Sequence, residues 1–115
     1  TITGGTSGQY LTTNGSGTLS WTTPLTTSIV TGTTQAAVKD YRYVLSNVSA
    51  TTLTLPSSPT LGDTVYLVVA NDLLTNIVAR NGQNIMSLAQ DMTINSSNAA
   101  FGLLYTNSTL GWRVI

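Results

Sequence analysis

From about residue 35 to the end, the chain alternates short apolar runs with turn residues, and no segment carries a convincing helical period. That pattern favours strands. Candidate strands are Arg42–Ser46, Thr51–Leu55, Thr64–Ala70, Asn76–Arg80, Asp91–Ile94, Ala99–Thr106 and Trp112–Ile115. Thr51-Thr-Leu-Thr-Leu55 alternates with period two, as a strand with one wet face does. Val65-Tyr-Leu-Val-Val69 is apolar throughout, which predicts burial on both faces. Pro56, Pro59, Gly62-Asp63, Asn81-Gly82 and Asn107–Gly111 separate the runs with turn chemistry. Met86–Gln90 is the one stretch expected to form a short helix or an irregular turn. Seven strands with short connections predict an all-β fold, an antiparallel β-sandwich or jelly-roll-like domain over residues 35–115. No internal repeat is evident.

Residues 1–34 have a different texture, rich in Gly, Thr and Ser, with Tyr10, Leu11, Leu19 and Trp21 as apolar positions. Their spacing predicts two short strands, about 9–13 and 18–22, joined through Asn14-Gly15, a pair that tolerates positive φ. One such hairpin cannot bury its few apolar side chains and is marginal alone. Several copies around an axis could, so this segment is expected to serve oligomerisation or anchoring. The chain does not begin with Met, which suggests a fragment of a longer protein or a processed chain.

Charge narrows the function classes. Only 7% of residues are charged, against about 25% in ordinary domains, and the net charge is zero. Four basic residues (Lys39, Arg42, Arg80, Arg113) give no electrostatic footprint for nucleic acid. No apolar run is long enough for a membrane helix. With no His, Cys or Glu, the usual general bases, thiol nucleophiles and soft metal ligands are missing, so neither catalysis nor a cofactor is expected. Asp40, Asp63, Asp72 and Asp91 each sit where turn chemistry accounts for an Asp.

Other motifs also favour structural readings. Gly4-Gly5-Thr-Ser-Gly8 lacks the Gly-Lys-Ser/Thr of a phosphate loop and reads as the entry to the hairpin. The Asn-x-Ser/Thr triplets at Asn47, Asn95 and Asn107 are expected by chance in a chain of this composition. Tyr41 and Tyr43 flank Arg42 and share one face of a strand, either as an exposed contact patch or, as large aromatics more often do, packed inward with Arg42 outward. Trp21 and Trp112 are assigned to packing.

Gly5-Thr-Ser-Gly-Gln-Tyr-Leu-Thr-Thr-Asn-Gly-Ser-Gly-Thr-Leu-Ser-Trp21 resembles a module of phage tail-fibre and other virion fibre proteins: Gly-x-x-Gly-Gln-x-Leu, an Asn/Asp-Gly turn, then Trp. Leu53-Thr-Leu-Pro56, Gly62-Asp63-Thr-Val65, Arg80–Met86 and Gly111-Trp-Arg-Val114 are similar to a C-terminal β-domain of phage tail fibres, those of cyanophages among them. The resemblance implies a homotrimeric virion protein, with Leu11, Leu19 and Trp21 as axial or inter-chain positions. The implied partners are further copies, other proteins of the tail, baseplate or capsid, and a host surface glycan or protein. The alternative is a capsid decoration, cement or head-fibre module anchored through its N-terminal segment.

Overall fold

A computed structural model describes residues 3–22 and 24–115. Thr1, Ile2 and Thr23, parts of the expected N-terminal module, lie outside the described residues. The elements are β1 (Tyr10–Thr13), β2 (Leu19–Thr22), β3 (Thr26–Val30), β4 (Thr34–Ala36), β5 (Tyr41–Leu45), β6 (Thr52–Thr54), β7 (Thr64–Val69), β8 (Asn76–Ala79), β9 (Met92–Ile94), β10 (Ala100–Tyr105) and β11 (Trp112–Val114). The all-β sandwich expected from the sequence is the architecture found. A five-stranded sheet ordered β11-β10-β7-β5-β3 faces a four-stranded sheet ordered β4-β6-β8-β9, and β1-β2 form a separate hairpin.

Strand direction departs from the antiparallel expectation. β3, β5 and β7 run parallel in one sheet, and β4, β6 and β8 run parallel in the other. From β3 to β8 the chain passes from sheet to sheet at every strand, winding three similar rungs. β9, β10 and β11 then add antiparallel strands that complete both sheets. Period-two alternation reports which face is wet and says nothing about the direction of the neighbour. The rungs are also unequal in length, Thr26 pairing with Tyr41 and Tyr41 with Val65, so no fixed repeat shows in the sequence.

The winding brings apolar residues into columns. Val30, Leu45 and Val69 are in register on three parallel strands, and all three are buried. Tyr43 stands beside Leu67, while Val65 stands between Tyr41 and Leu103. Leu53 and Val78 supply the facing layer. Trp112 is fully buried and meets Tyr105 edge-on, with ring centroids 5.3 Å apart. Side chains of this size each stabilise the fold by about 1.5–3 kcal/mol.

Two local expectations change and one open alternative is decided. β7 is buried on one face only: Val65, Leu67 and Val69 point inward, while Tyr66 and Val68 stay half-exposed. A two-layer sandwich covers one face of each sheet, so an apolar run there is not proof of two-sided burial. Met86–Gln90 takes the irregular turn of the two forms expected, not the helix. Ile85 and Leu88 exchange two backbone hydrogen bonds of 3.0 Å around Met86 and Ser87, both left-handed at φ 52° and 68°. The boundary expected near residue 34 falls within the sandwich, because β3 and β4 are its first rung. These strands are Thr-rich and short on apolar signal, which hid them.

The hairpin connection is wider than a two-residue turn. Asn14 N–H donates to the Thr18 carbonyl at 3.1 Å, and its side-chain oxygen accepts from the N–H groups of Ser16 and Thr18. Gly15 and Gly17, rather than Asn14, take the left-handed positions. The molecule extends 51 × 32 × 19 Å, with a radius of gyration of 16.0 Å, against about 13 Å for a compact chain of this length.

Candidate interaction surfaces

The hairpin carries an open apolar face. Leu11 is in register with Trp21 and Thr13 with Leu19, so alternation puts Leu11, Leu19 and Trp21 on one side. They are 37%, 57% and 37% exposed. The opposite side is polar, with Thr12 Oγ1 hydrogen-bonded to Ser20 Oγ at 3.1 Å and to Thr22 Oγ1 at 3.0 Å. Gly4 and Gly5 lie against the Trp21 indole: a Cβ on Gly5 would fall 2.7 Å from the ring. The glycine-rich entry is therefore a packed backbone against an aromatic face.

The Tyr41-Arg42-Tyr43 segment resolves by strand alternation. Tyr43 is 2% exposed and Tyr41 half-buried, their rings stacked with centroids 5.6 Å apart, so neither forms an open contact patch. The Tyr43 hydroxyl accepts from Val38 N–H at 2.7 Å. Burial pushes its pKa above the usual tyrosine value, against the opposing effect of that hydrogen bond and with a smaller upward contribution from Tyr41. Arg42 is the exposed residue of the three, and its guanidinium donates to Thr27 Oγ1 at 3.3 Å.

Around Arg42 lies a surface that the sequence did not reveal. On the outer face of the five-stranded sheet, Ile29, Val44, Val68 and Ala100 form one row across four strands. Ile29 is 67% exposed. A second row places Arg42 beside Tyr66 and Tyr66 beside Gly102. A Cβ on Gly102 would meet the Tyr66 ring at 2.6 Å and Ile115 at 2.9 Å, so both side chains lie flat across the glycine.

Tyr66 also borders a cleft of about 290 Å³ between the hairpin and this sheet, with Tyr10, Thr22, Pro24, Leu25, Asp40 and Thr64 as the other lining residues. Asp40 is held there in the left-handed region at φ 63°. Its N–H donates to the Thr64 carbonyl at 2.7 Å, and its carbonyl accepts from Thr26 N–H at 3.1 Å. Tyr10, Asp40 and Tyr66 are far apart in sequence, and no spacing pattern links them.

The other aspartates sit in turns. Asp63 accepts from Thr60 N–H at 2.9 Å and lies 4.0 Å from Lys39 Nζ; Asp91 accepts from Arg80 N–H at 2.9 Å. Asp72 is left-handed at φ 59°. Among the described residues no three acidic groups converge. Two of the three Asn-x-Ser/Thr asparagines hold loops through their side chains. Asn47 accepts from Ser49 N–H and donates to the Thr31 carbonyl. Asn107 accepts from Thr109 and Leu110 N–H groups at 2.9 and 2.8 Å.

No protein-family model and no curated protein matches the chain.

Proposed function

We propose that this chain is a non-catalytic structural domain of a virion fibre, working as a homotrimer on the outside of a phage particle and contributing to host attachment. The observation that carries this reading is the one-sided hairpin. Leu11, Leu19 and Trp21 share a face on which, among the described residues, all three stay exposed, with only the Gly4-Gly5 backbone against the Trp21 ring. Three hairpins around an axis would bury those side chains against one another and compensate for the thin two-stranded unit. Zero net charge and sparse charged residues remove the repulsion that keeps copies of a protein apart. The Gly-x-x-Gly-Gln-x-Leu resemblance supplies the threefold order and the fibre setting. In that setting the mechanism is multivalent: three copies of a weak contact, repeated over several fibres, raise avidity without a tight single site.

The test is the solution mass of the purified chain by light scattering behind a sizing column. The expected result is three times the 12.1 kDa chain mass. A monomer would sink the self-assembling trimer and leave the hairpin as an arm docking on another virion protein, as in a capsid decoration module.

A further inference from the structure

We propose that Asn14 is a self-modifying site, where the backbone nitrogen of Gly15 displaces the side-chain amide and water then leaves an aspartate or isoaspartate. Asn-Gly occurs at two places in the chain, Asn14-Gly15 and Asn81-Gly82. Glycine after the asparagine opens the route, since it has no Cβ to obstruct the ring that its nitrogen must close on Cγ. Every other asparagine precedes a residue with a side chain.

The structure separates the two pairs. Asn14 Oδ1 accepts from Ser16 N–H at 2.8 Å and from Thr18 N–H at 3.2 Å. As the nitrogen attacks Cγ, negative charge builds on Oδ1, where these two backbone donors already point, as in an oxyanion hole. Gly15 N–H donates to Thr13 Oγ1 at 3.2 Å, so an acceptor sits at the nitrogen that must lose its proton. Among the described residues, none accepts from Asn14 Nδ2, the leaving group.

Asn81 is built the other way. Its Nδ2 donates to the Leu55 carbonyl at 2.9 Å, which ties down the leaving group, and no described N–H reaches its Oδ1. Asn107 has the two-donor cradle, from Thr109 and Leu110 N–H at 2.9 and 2.8 Å, but Ser108 follows it. Among the described residues Asn14 alone combines the cradle with a following glycine.

The reaction needs no reagent besides water. The Gly15 N–Cγ bond forms as the Cγ–Nδ2 bond breaks, and the proton given up by Gly15 N ends on the departing ammonia. Water then opens the cyclic imide at either carbonyl, giving aspartate or isoaspartate. Residues 1–38 hold no charged side chain, so the product carboxylate is the first charge on that segment. The isoaspartate form also lengthens the main chain by a methylene, inside the connection that Asn14 N–H closes on the Thr18 carbonyl at 3.1 Å.

The site is independent of the fibre reading. To test it, the full chain is aged at mildly alkaline pH, both folded and in concentrated urea. It is then digested and sequenced by electron-transfer mass spectrometry, which distinguishes aspartate from isoaspartate. In the folded chain, conversion at Asn14 should outrun that at Asn81 and Asn107 by at least about tenfold, within what two oriented donors supply to a transition state. In urea the rates at Asn14 and Asn81 should converge, because both are then plain Asn-Gly pairs. Heavy-oxygen water should label the product, as hydrolysis of a cyclic imide requires. Equal rates at Asn14 and Asn81 in the folded chain overturn the proposal. So does Asn14 left intact in the folded chain once urea has converted it. A gap that persists undiminished in urea also overturns it, since neighbouring sequence rather than the cradle would then set the rate.

Discussion

Asn71 and Asn76 face each other through a reciprocal pair of side-chain hydrogen bonds, Asn71 Nδ2 to Asn76 Oδ1 at 3.0 Å and Asn76 Nδ2 to Asn71 Oδ1 at 2.9 Å. Asn76 is completely buried, and its oxygen also accepts from Thr51 N–H at 3.0 Å. Asn71 donates in addition to the Asn47 carbonyl at 3.0 Å. One amide pair thus ties the crossover between β7 and β8 to the loop between β5 and β6.

Replacing Asn76 with Leu should therefore cost about 2–4 kcal/mol, because the Thr51 N–H and the Asn71 amide lose their buried partner. Urea unfolding of the variant checks this. A loss below about 0.5 kcal/mol would mean that water reaches these groups and the pair is not structural.

The Met86-Ser87 turn is held from outside. Met86 N–H donates to the Trp112 carbonyl at 2.8 Å and Ser87 N–H to the Leu110 carbonyl at 2.9 Å, which keeps two left-handed non-glycine residues in place. Ser87→Gly relieves one of them and gives up only an exposed 3.1 Å contact from Arg113. A gain of about 0.5–1 kcal/mol is expected, read as a raised melting temperature. An unchanged or lowered melting temperature would refute it.

Tyr43 predicts an alkaline limit. Its folded pKa lies above the ordinary tyrosine value of about 10, so the unfolded chain releases this proton first as pH rises. Its contribution to stability is complete below about pH 10 and is lost as pH climbs through the raised folded value. Denaturation midpoints between pH 8 and about 12 should fall at the upper end, less steeply in Tyr43→Phe. That variant should also be less stable at neutral pH by about 1–2 kcal/mol, since Val38 N–H loses its acceptor. A midpoint unaffected by the substitution at any pH would contradict this account.

For the hairpin, Leu11→Asp and Trp21→Ser are expected to dissociate or misassemble the proposed trimer, the first by placing a charge in an apolar contact and the second by emptying it. Sizing and heat resistance of the two variants give the readout. If both stayed fully assembled and as heat-resistant as the parent chain, the axial role of this face would be wrong, and the outer sheet row around Ile29 and Val68 would become the surface to mutate next.

What the sequence determined by itself was local. Period-two alternation set Tyr41 and Tyr43 on the face opposite Arg42 before any neighbour was known, and packing decided that the tyrosine face turns inward. Turn chemistry located most of the strand ends, because Gly, Pro, Asn and Asp act through their own backbone. Where that chemistry was missing, as over Met86–Gln90, the sequence left a short helix and an irregular turn both open, and contacts from Leu110 and Trp112 select the turn. Strand pairing lay beyond local patterning. Whether Thr26 meets Tyr41 in parallel, and whether β7 is covered on one face or two, depends on residues distant in the chain that bury apolar surface together. The cleft of Tyr10, Asp40 and Tyr66 has the same origin, since only the packing of the hairpin against the sheet brings the three to one wall.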